Sequence, residues 1–226
     1  MPSTFNGKSI ISHVVKKAKN TEIGRVVVCT EDQLILDEVI SNGGEAILTG
    51  NQHKSGTDRI FEGYQKLNIK NVDYILNVQG DEPSIDEKDI INLNNMMIET
   101  NSNIGTLGAE IKDKKIFSNE NIVKVATKEK LSIKNSSLAL SFKRNHTFKK
   151  DENIYHHIGI YAYKVKILEK FTNLNQTKNE VLNRLEQLRA LDNNLNINVS
   201  LANSSPIGVD TKEDYLALKK IMEYKS

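Results

Sequence analysis

The alternation of short apolar runs with amphipathic helical segments most constrains the fold of this chain. Arg25 to Thr30 and Asp73 to Val78 read as buried strands, and segments before them, such as Ser9 to Lys19, place apolar residues at helical spacing. Strands that alternate with helices of this length predict an α/β fold with a doubly wound, mostly parallel sheet. After Asp86 the strand-like pieces follow one another more closely, so we expect the sheet to be mixed.

Further elements are predicted along the whole chain. Helices are expected at Gln33 to Ser41, Asp58 to Leu67, Asp86 to Glu99, Lys178 to Leu191 and Lys212 to Glu223. Strands are expected near Ala46 and at Ile104 to Glu110, Ile122 to Ala126, Leu138 to Phe142, His157 to Tyr163 and Ile197 to Leu201. No repeat or low-complexity linker divides the chain, so residues 1–226 are expected to form a single domain.

Composition narrows the class of protein. Of the 226 residues 38% are hydrophobic, enough for one substantial core. Lys and Arg number 31 against 29 Asp and Glu, a net charge of +2, so neither nucleic acid nor a membrane is expected as a partner. Cys29, in an apolar run, is expected to be a small buried hydrophobe. No stretch resembles a membrane span or a leader peptide, so we expect a cytoplasmic protein.

The segment NVQGDEP includes the end of the strand Asp73 to Val78 and the residues that follow it. In open parallel sheets ligands bind beyond the carboxyl ends of strands, which is where Gln79, Gly80 and Asp81 are expected. Gly80 would let a ligand approach the backbone, and the Asp81 carboxylate suits Mg²⁺, which takes one or two carboxylates with phosphate oxygens and water. The alternative is an ordinary turn before a helix, because Gly, Asp and Pro are common turn residues.

A second loop, HKSGTDR, opens into the helix that is expected to end at Leu67. Backbone N–H groups and the positive end of a helix can hold anions or base edges at such a place, and Arg59 adds a cationic fork. The alternative is that Ser55 or Thr57 caps the helix, since some residue must satisfy its first amides.

Two further segments carry polar groups near predicted helices. In IGVDTKED, Asp210 comes just before the last helix and either caps it or supplies a second carboxylate to a metal. In NEVLNRLEQLRAL, a continuous helix would place Glu180, Arg184 and Gln187 near one side and the leucines against a core. Most of this segment is therefore expected to be core and solvated surface.

Together, SGTDR, NVQGDEP, HHIGIYAY, LEQLRAL and GVDTKED resemble, in order and approximate spacing, the CMP-Kdo synthetases, which are 3-deoxy-manno-octulosonate (Kdo) cytidylyltransferases. The resemblance runs from about Phe5 to the C-terminal helix. It implies a fold of the nucleotide-sugar transferase, Rossmann-like type. It also implies transfer of a cytidylyl group from CTP to Kdo, giving pyrophosphate and CMP-Kdo for lipopolysaccharide synthesis. A Mg²⁺ cofactor and a homodimer are further implications.

The resemblance also implies roles for individual residues. The catalytic, magnesium-binding carboxylates would be Asp81 and Asp210. Nucleotide binding is implied for Ser55, Gly56, Thr57 and Arg59. Binding of Kdo is implied for Gln79, Arg144, His157, Glu186 and Gln187, and Arg144 matches the arginine of the family's Phe-Ser-Arg motif.

The chain departs from the family pattern at its start and at three single positions. It reaches the family's NGK turn directly after Phe5, without the preceding strand and basic triphosphate loop. The cytidylyltransferase domain is therefore expected to be N-terminally incomplete, through a start codon placed too late or through truncation. Lys143, Asn183 and His156 stand where the family has a serine, a glutamate and a basic residue. These changes of charge keep a relative of Kdo, such as the 8-amino form, as an alternative acceptor.

Other functions are weighed against this one. A synthetase for sialic acid or another nonulosonic acid would share the fold and the chemistry, but NVQGDEP and LEQLRAL favour Kdo. The absent triphosphate loop suggests an inactive nucleotide-binding remnant as a further alternative. The five histidines have no zinc-like spacing with cysteines. No glycine-rich fingerprint follows a predicted strand, which disfavours a dinucleotide oxidoreductase.

Overall fold

The computed structural model describes residues 4–5, 8–144, 147–148 and 152–204. These residues form two compact units. The first unit contains the described residues up to Ile69 together with Val78–Ile91, and the second contains Lys70–Asn77 and residues 92–204. The helix predicted at Lys212 to Glu223 lies outside the described residues. The expectation of one cytidylyltransferase domain over residues 1–226 stays a prediction.

The first unit follows the predicted alternation of helices and strands. In chain order it contains β1 (Thr4–Phe5), β2 (Lys8–Ser9), α1 (Ile10–Asn20), β3 (Val28–Thr30), α2 (Gln33–Ser41), β4 (Ala46–Leu48) and α3 (Gly56–Leu67). β1 pairs with β2 in antiparallel fashion, and β3 pairs with β4 in parallel. The three helices begin after Ser9, Asp32 and Ser55, whose side chains each accept a hydrogen bond from a backbone N–H of the first turn.

Cys29 lies on β3 and is half-buried, which corrects the expectation that it is fully buried. Among the described strands, β3 pairs only with β4, so one of its edges receives no strand. Gly63 of α3 packs directly on the Cys29 side chain, because a methyl group at residue 63 would collide with the sulfur. Burial raises the pKa of the Cys29 thiol to about 11, so the sulfur stays protonated at neutral pH.

The second unit holds the larger sheet. Its elements are β5 (Tyr74–Asn77), the greater part of α4 (Glu87–Thr100), β6 (Ile104–Ala109), α5 (Lys114–Ser118), β7 (Lys124–Thr127), β8 (Ser137–Lys143), β9 (Asn153–Lys164), α6 (Val165–Thr172), α7 (Lys178–Asn183), α8 (Leu188–Asp192) and β10 (Ile197–Leu201). The short helix α5 and the helix α6 are additions to the predicted elements. No helix in the described ranges is both long enough and apolar enough to cross a membrane.

Within the described residues the sheet has six strands in the order β5-β9-β6-β10-β8-β7. β6 and β10 are parallel neighbours, whereas β9 runs antiparallel to β5, β6 and β7, and β8 runs antiparallel to β10 and β7. Consequently β5, β6, β10 and β7 share one direction, and β9 and β8 run against them. The predicted mixed α/β fold is confirmed.

The core of the second unit lies between α4 and the central strands. All six residues of β6 are buried, as expected for a strand covered on both faces. Leu93 and Met97 of α4 are fully buried. A Cβ at Gly105 would lie 2.5 Å from Met97 Sδ, so this glycine allows the helix to approach the strand closely.

The helix predicted at Lys178 to Leu191 is not continuous, and this prediction was wrong. It is divided into α7 and α8 at Arg184, whose φ of 52° lies in the left-handed region. The Leu185 N–H then donates to Glu180 O at 3.2 Å, which closes the end of α7. Glu180, Arg184 and Gln187 therefore do not share one helical side, because Gln187 begins a separate helix.

Candidate functional site

The turn after β5 presents the predicted magnesium carboxylate. Gly80 and Asp81 are exposed, and the Glu82 N–H donates to Gln79 O at 3.4 Å. The turn is anchored at its far end by Ile85, which is fully buried and whose carbonyl accepts a hydrogen bond of 2.6 Å from Lys17 Nζ. Asp81 thus offers a hard oxygen donor on an anchored turn, a donor type that fits Mg²⁺.

The second predicted magnesium carboxylate, Asp210, lies outside the described residues. Its pairing with Asp81 therefore stays a prediction. Within residues 8–144, 147–148 and 152–204, no three or more His, Cys, Asp or Glu side chains cluster as a ready-made metal cage. A magnesium ion that keeps its waters and substrate oxygens needs only one or two carboxylates, so Asp81 remains compatible with the predicted site.

The predicted nucleotide loop begins α3. The Ser55 hydroxyl accepts a hydrogen bond from the Asp58 N–H at 3.2 Å, so the expected helix cap is confirmed. Gly56 is exposed, and Thr57 is buried with 2% exposure. Since Gly56 is the first residue of the helix, its N–H is among the amides that point away from the helix end and can meet an anion.

The Arg59 guanidinium is held by the loop that precedes it. Arg59 Nη1 donates to Thr49 Oγ1 at 2.8 Å and to Gly50 O at 3.0 Å, and its other terminal nitrogen pairs with Glu31. The planar fork therefore holds the Thr49 side chain and the Gly50 backbone. Arg59 therefore stabilises this loop whether or not it also contacts a nucleotide.

Glu62 also holds the loop before α3 in place, and the sequence analysis did not predict it. Its carboxylate accepts two hydrogen bonds of 3.1 Å from the Gly50 N–H, and it pairs with His53 and, at 2.6 Å, with Lys66. Hydrogen bonds from Lys66 and His53 lower the pKa of Glu62 to about 2. Its position three residues after Arg59, on the same side of α3, is the signal that could have identified it.

His157, predicted to bind the sugar acid, lies beside an irregularity in the sheet. Between Thr106 and Leu107 the register of β6 against β9 shifts, so two extra residues of β9 are accommodated there. Bulges of this kind redirect side chains and are frequent next to functional sites. His157 is buried and packs edge-on against Phe142, with ring centroids 5.0 Å apart.

The Thr106 hydroxyl determines which nitrogen of His157 carries the proton. Thr106 Oγ1 donates its one proton to Ile160 O at 2.8 Å and lies 3.0 Å from His157 Nε2. His157 Nε2 must then be the donor of that contact, which leaves Nδ1 as an acceptor. Burial and, to a smaller extent, the neighbouring His156 lower the pKa of His157 to about 3, so the ring is neutral near pH 7.

Tyr161 is the second residue that sequence reasoning missed. Its ring centroid lies 5.5 Å from that of His157, and its buried hydroxyl makes no hydrogen bond of good geometry, its nearest polar contact among the described residues being a weak one with the Thr106 hydroxyl. Burial raises its pKa, and Tyr163 and Glu186 add to this against a smaller opposing effect of Thr106. A buried hydroxyl with so few protein partners can bind a polar group of a ligand. The spacing of four residues on one strand, which returns a side chain to the same face, could have identified it.

Glu186 and Gln187 lie at the corner between α7 and α8. Glu186 Oε1 is 3.9 Å from Arg189 Nη2, and the Glu186 side chain is 30% exposed. Gln187 is the N-cap of α8, but its side chain makes no capping hydrogen bond. The charge of Glu186 adds to the rise in the pKa of Tyr161 that burial causes.

Arg144 follows β8 directly, and its Nη1 donates to Asn121 O at 3.1 Å. The neighbouring Lys143 turns to a loop segment, since its Nζ donates to Thr147 O at 2.8 Å and lies 4.9 Å from the centre of the Phe148 ring. Asn183 is exposed and bonds to Asn179. These contacts give no support to the idea that Lys143 and Asn183 change the charge of a sugar pocket.

The fold and the described residues define a nucleotidyltransferase-type α/β protein. Residues 3–197 match the model of the cytidylyltransferase family. The chain belongs to the cytidylyltransferase family and is therefore a nucleotidyltransferase.

Curated relatives point to one branch of this family. The 3-deoxy-manno-octulosonate cytidylyltransferase of Thermodesulfovibrio yellowstonii is 40% identical over 228 residues, covering 96% of this chain and 89% of the relative. The protein of the same name from Bartonella quintana is 40% identical over 217 residues, covering 96% and 88%.

Solved structures agree with this assignment. A CMP:2-keto-3-deoxy-manno-octonic acid synthetase complexed with CTP superposes with a TM-score of 0.87 at 29% identity, over 99% of this chain and 91% of that one. An apo UDP-glucose pyrophosphorylase superposes with a TM-score of 0.69 at 12% identity, over 96% and 88%, which supports the fold alone.

Proposed function

We propose that this protein transfers the cytidylyl group of CTP to Kdo, giving CMP-Kdo and pyrophosphate. The observation that carries the proposal is the likeness, over 99% of the chain, to a synthetase whose structure contains CTP, with a TM-score of 0.87. Relatives about 40% identical carry the name of the same activity. The product would serve lipopolysaccharide synthesis, as the resemblance implies, and the reaction would take place in the cytoplasm.

In this reaction the anomeric hydroxyl of Kdo attacks the α-phosphorus of CTP while pyrophosphate leaves in line. Such transfer depends on positioning and on neutralisation of charge, and it requires no protein nucleophile. Asp81 and Asp210 would hold Mg²⁺. When bound, the metal would neutralise phosphate charge and reduce repulsion between the triphosphate and the Kdo carboxylate.

The nucleotide would bind at the start of α3. Ser55, Gly56 and Thr57 form the loop and first turn of that helix, whose positive end can hold the phosphates of CTP. Arg59 and Glu62 would act by holding the Thr49 side chain and the Gly50 backbone in place. Their contacts favour a role in shaping the cytidine site over direct contact with phosphate.

The acid sugar would bind near the corner of α7 and α8 and the bulge of β9. Arg144 would supply a cation for the Kdo carboxylate. Neutral His157 and the buried Tyr161 hydroxyl would hydrogen-bond sugar hydroxyl groups. Gln79, Glu186 and Gln187 complete the proposed set, as the resemblance implies.

A homodimer is part of the proposal. Leu140 is 55% exposed on β8 and Ile133 is 86% exposed in the segment before it, so these two apolar side chains are available for contact with a second copy of the chain. Light scattering coupled to gel filtration tests this, and a monomer at assay concentration would contradict it.

The activity is tested by measuring pyrophosphate release with CTP, Mg²⁺ and freshly prepared Kdo. ATP in place of CTP, and 8-amino-Kdo or a sialic acid in place of Kdo, test nucleotide and acceptor specificity. Asp81→Asn should lower turnover by at least 100-fold if this carboxylate holds the metal. Release that is equally fast with Asp81→Asn, or absent with every acid sugar, would overturn the proposal.

A further inference from the structure

Lys124 is a fully buried lysine in the middle of the second unit. It is 0% exposed on β7, next to the buried Val125 and Ala126. Burying an ammonium group is unfavourable, and burial lowers the pKa of Lys124. No ion pair links this lysine to a carboxylate in the described part of the chain, although the charge of Glu120 partly offsets the effect of burial.

Two backbone carbonyls receive the ammonium group instead. Lys124 Nζ donates to Asn119 O and to Arg144 O, each at 2.6 Å. The second carbonyl belongs to the arginine that the proposed function assigns to the sugar carboxylate. The Arg144 guanidinium in turn donates to Asn121 O at 3.1 Å. Residues 119–124 thus hold Arg144 at both its backbone and its side chain.

The same segment also holds His157. The His157 N–H donates to Val123 O at 2.9 Å. In the strand register Lys124 lies opposite Lys143 and His156, which directly precede Arg144 and His157. Lys124 is therefore placed between the two chain segments that lead into these predicted sugar-binding residues.

Stability alone does not require a charge at this position. Buried charged groups can often be replaced by well-packed apolar groups of similar volume with little loss of stability. An apolar side chain, however, cannot bridge the carbonyls of residues 119 and 144. An ammonium group is therefore needed at this position to make the hydrogen bonds to both carbonyls.

We propose that Lys124 is a positioning residue for the acid sugar, because its ammonium group clamps the Arg144 backbone and thereby aims the Arg144 guanidinium at the sugar carboxylate. This inference rests on the proposed function, in which Arg144 binds Kdo. Lys124 itself touches neither substrate.

The kinetic test compares Lys124→Met, which keeps length and removes the charge, with Lys128→Met. Lys128 is exposed just after the same strand and serves as the matched control. Lys124→Met should raise the KM for Kdo at least 10-fold and leave the KM for CTP within twofold, while Lys128→Met changes neither. Equal rises in both KM values, or no change in either, would overturn the proposal.

A double-mutant comparison tests whether the effect passes through Arg144. In an Arg144→Gln background, adding Lys124→Met should change the KM for Kdo by less than twofold, because the group that Lys124 positions is already lost. A further 10-fold rise would mean that Lys124 acts independently of Arg144, which contradicts the proposal.

A measurement without turnover separates this inference from the proposed function. The measurement is a nuclear magnetic resonance spectrum of the protein isotopically labelled at arginine. The chain has five arginines, so few side-chain Nε–H signals are expected. The Arg144 signal is the one that is absent from the spectrum of Arg144→Gln. Lys124→Met should shift and broaden the Arg144 signal and leave the buried Arg189 signal in place. If the wild-type protein releases no pyrophosphate, the proposed function fails. The Arg144 signal then still tests whether Lys124 positions the Arg144 side chain.

An unchanged Arg144 signal in Lys124→Met would overturn the inference whatever the activity. Loss of the Arg189 signal would report unfolding of the variant. In that case Lys124→Gln, which retains a donor for one carbonyl, takes its place in the same measurements. It is expected to give an intermediate shift of the Arg144 signal, and no shift would count against the proposal.

Discussion

Arg189 and Glu180 form a buried, two-point ion pair. Arg189 Nε and Nη2 donate to the two carboxylate oxygens of Glu180 at 2.9 and 2.6 Å, and the side chains are 3% and 5% exposed. The guanidinium carbon also lies 4.8 Å from the centre of the Phe171 ring. Burial raises the pKa of Glu180, but hydrogen bonds from Arg189 and from the Thr177 N–H lower it more, so the net shift is downward. The pair joins α7 to α8 across the corner that contains Glu186 and Gln187.

Replacing Arg189 by methionine should destabilise the protein strongly. The Glu180 carboxylate would remain buried without its partner, a situation that typically costs about 3–5 kcal/mol. Urea unfolding followed by circular dichroism measures the change. Lys166→Gln, at an exposed position of α6, is the control and should differ from wild type by less than about 0.5 kcal/mol. A loss of similar size in both variants would show that the ion pair contributes little.

Tyr161→Phe should weaken the binding of Kdo without lowering the stability of the protein. The change removes a buried hydroxyl whose only polar contact among the described residues is a weak one with Thr106, so stability should stay within about 0.5 kcal/mol of wild type or rise. If the hydroxyl binds the acid sugar, the KM for Kdo should rise roughly 10-fold, the loss of about one hydrogen bond. Both quantities are measured on the same preparation.

Tyr155→Phe is the matched control for this prediction. The Tyr155 hydroxyl accepts a hydrogen bond of 2.8 Å from the Leu131 N–H, on the same strand as Tyr161. Its removal should cost about 1–3 kcal/mol of stability, because a buried N–H loses its acceptor, and should leave the KM for Kdo unchanged. The reverse pattern in the two variants would contradict the assignment of Tyr161.

Buried His157 should make the protein less stable in mild acid. Its pKa is about 3 in the folded state, below the unfolded value near 6.5, so the unfolded chain binds more protons between these pH values. Stability should therefore fall as the pH decreases below 6.5, by up to about 1.4 kcal/mol per pH unit from this group. Chemical unfolding of wild type and His157→Gln from pH 7 to pH 4.5 tests the slope. Parallel curves would show that His157 does not contribute.

Glu62→Gln should weaken the loop before α3 in a pH-dependent way. The folded pKa of Glu62 is about 2, below its ordinary value of 4.5, so the contribution of the carboxylate is present above pH 4.5 and is lost as the pH falls toward 2. The wild-type protein should be more stable than the variant at pH 7, and the difference in stability should shrink as the pH falls from 4.5 toward 2. The KM for CTP should also rise several-fold, since an uncharged amide keeps only one acceptor oxygen and so holds Gly50, His53 and Lys66 more weakly.

Glu45→Gln provides the comparison for Glu62. Glu45 pairs with Arg25, but both side chains are about half exposed, at 49% and 51%. Exposed pairs contribute about 0–1 kcal/mol, so this variant should resemble wild type in stability and in the KM for CTP. If both glutamates behave alike, Glu62 has no special role in the loop.

Periodicity predicted most elements correctly but failed at Lys178 to Leu191. The leucines there repeat at helical spacing throughout, so nothing in the local pattern marks a break. The break occurs because Arg184 adopts a left-handed conformation, which is unfavourable for a residue with a Cβ and must be offset by the rest of the structure. The buried pair of Glu180 and Arg189, nine residues apart in the chain, supplies such an offset.

By itself, the sequence determined the order of helices and strands, the cap at Ser55 and the family, since these depend on neighbouring residues and on short linked motifs. Only the tertiary structure decided which charged groups are buried and what they contact. Lys124 and Arg144 are 20 residues apart in sequence, and Thr106 and His157 are 51 apart. Such contacts depend on strand register and on a bulge, which arise from packing between distant segments and leave no periodic trace in the chain.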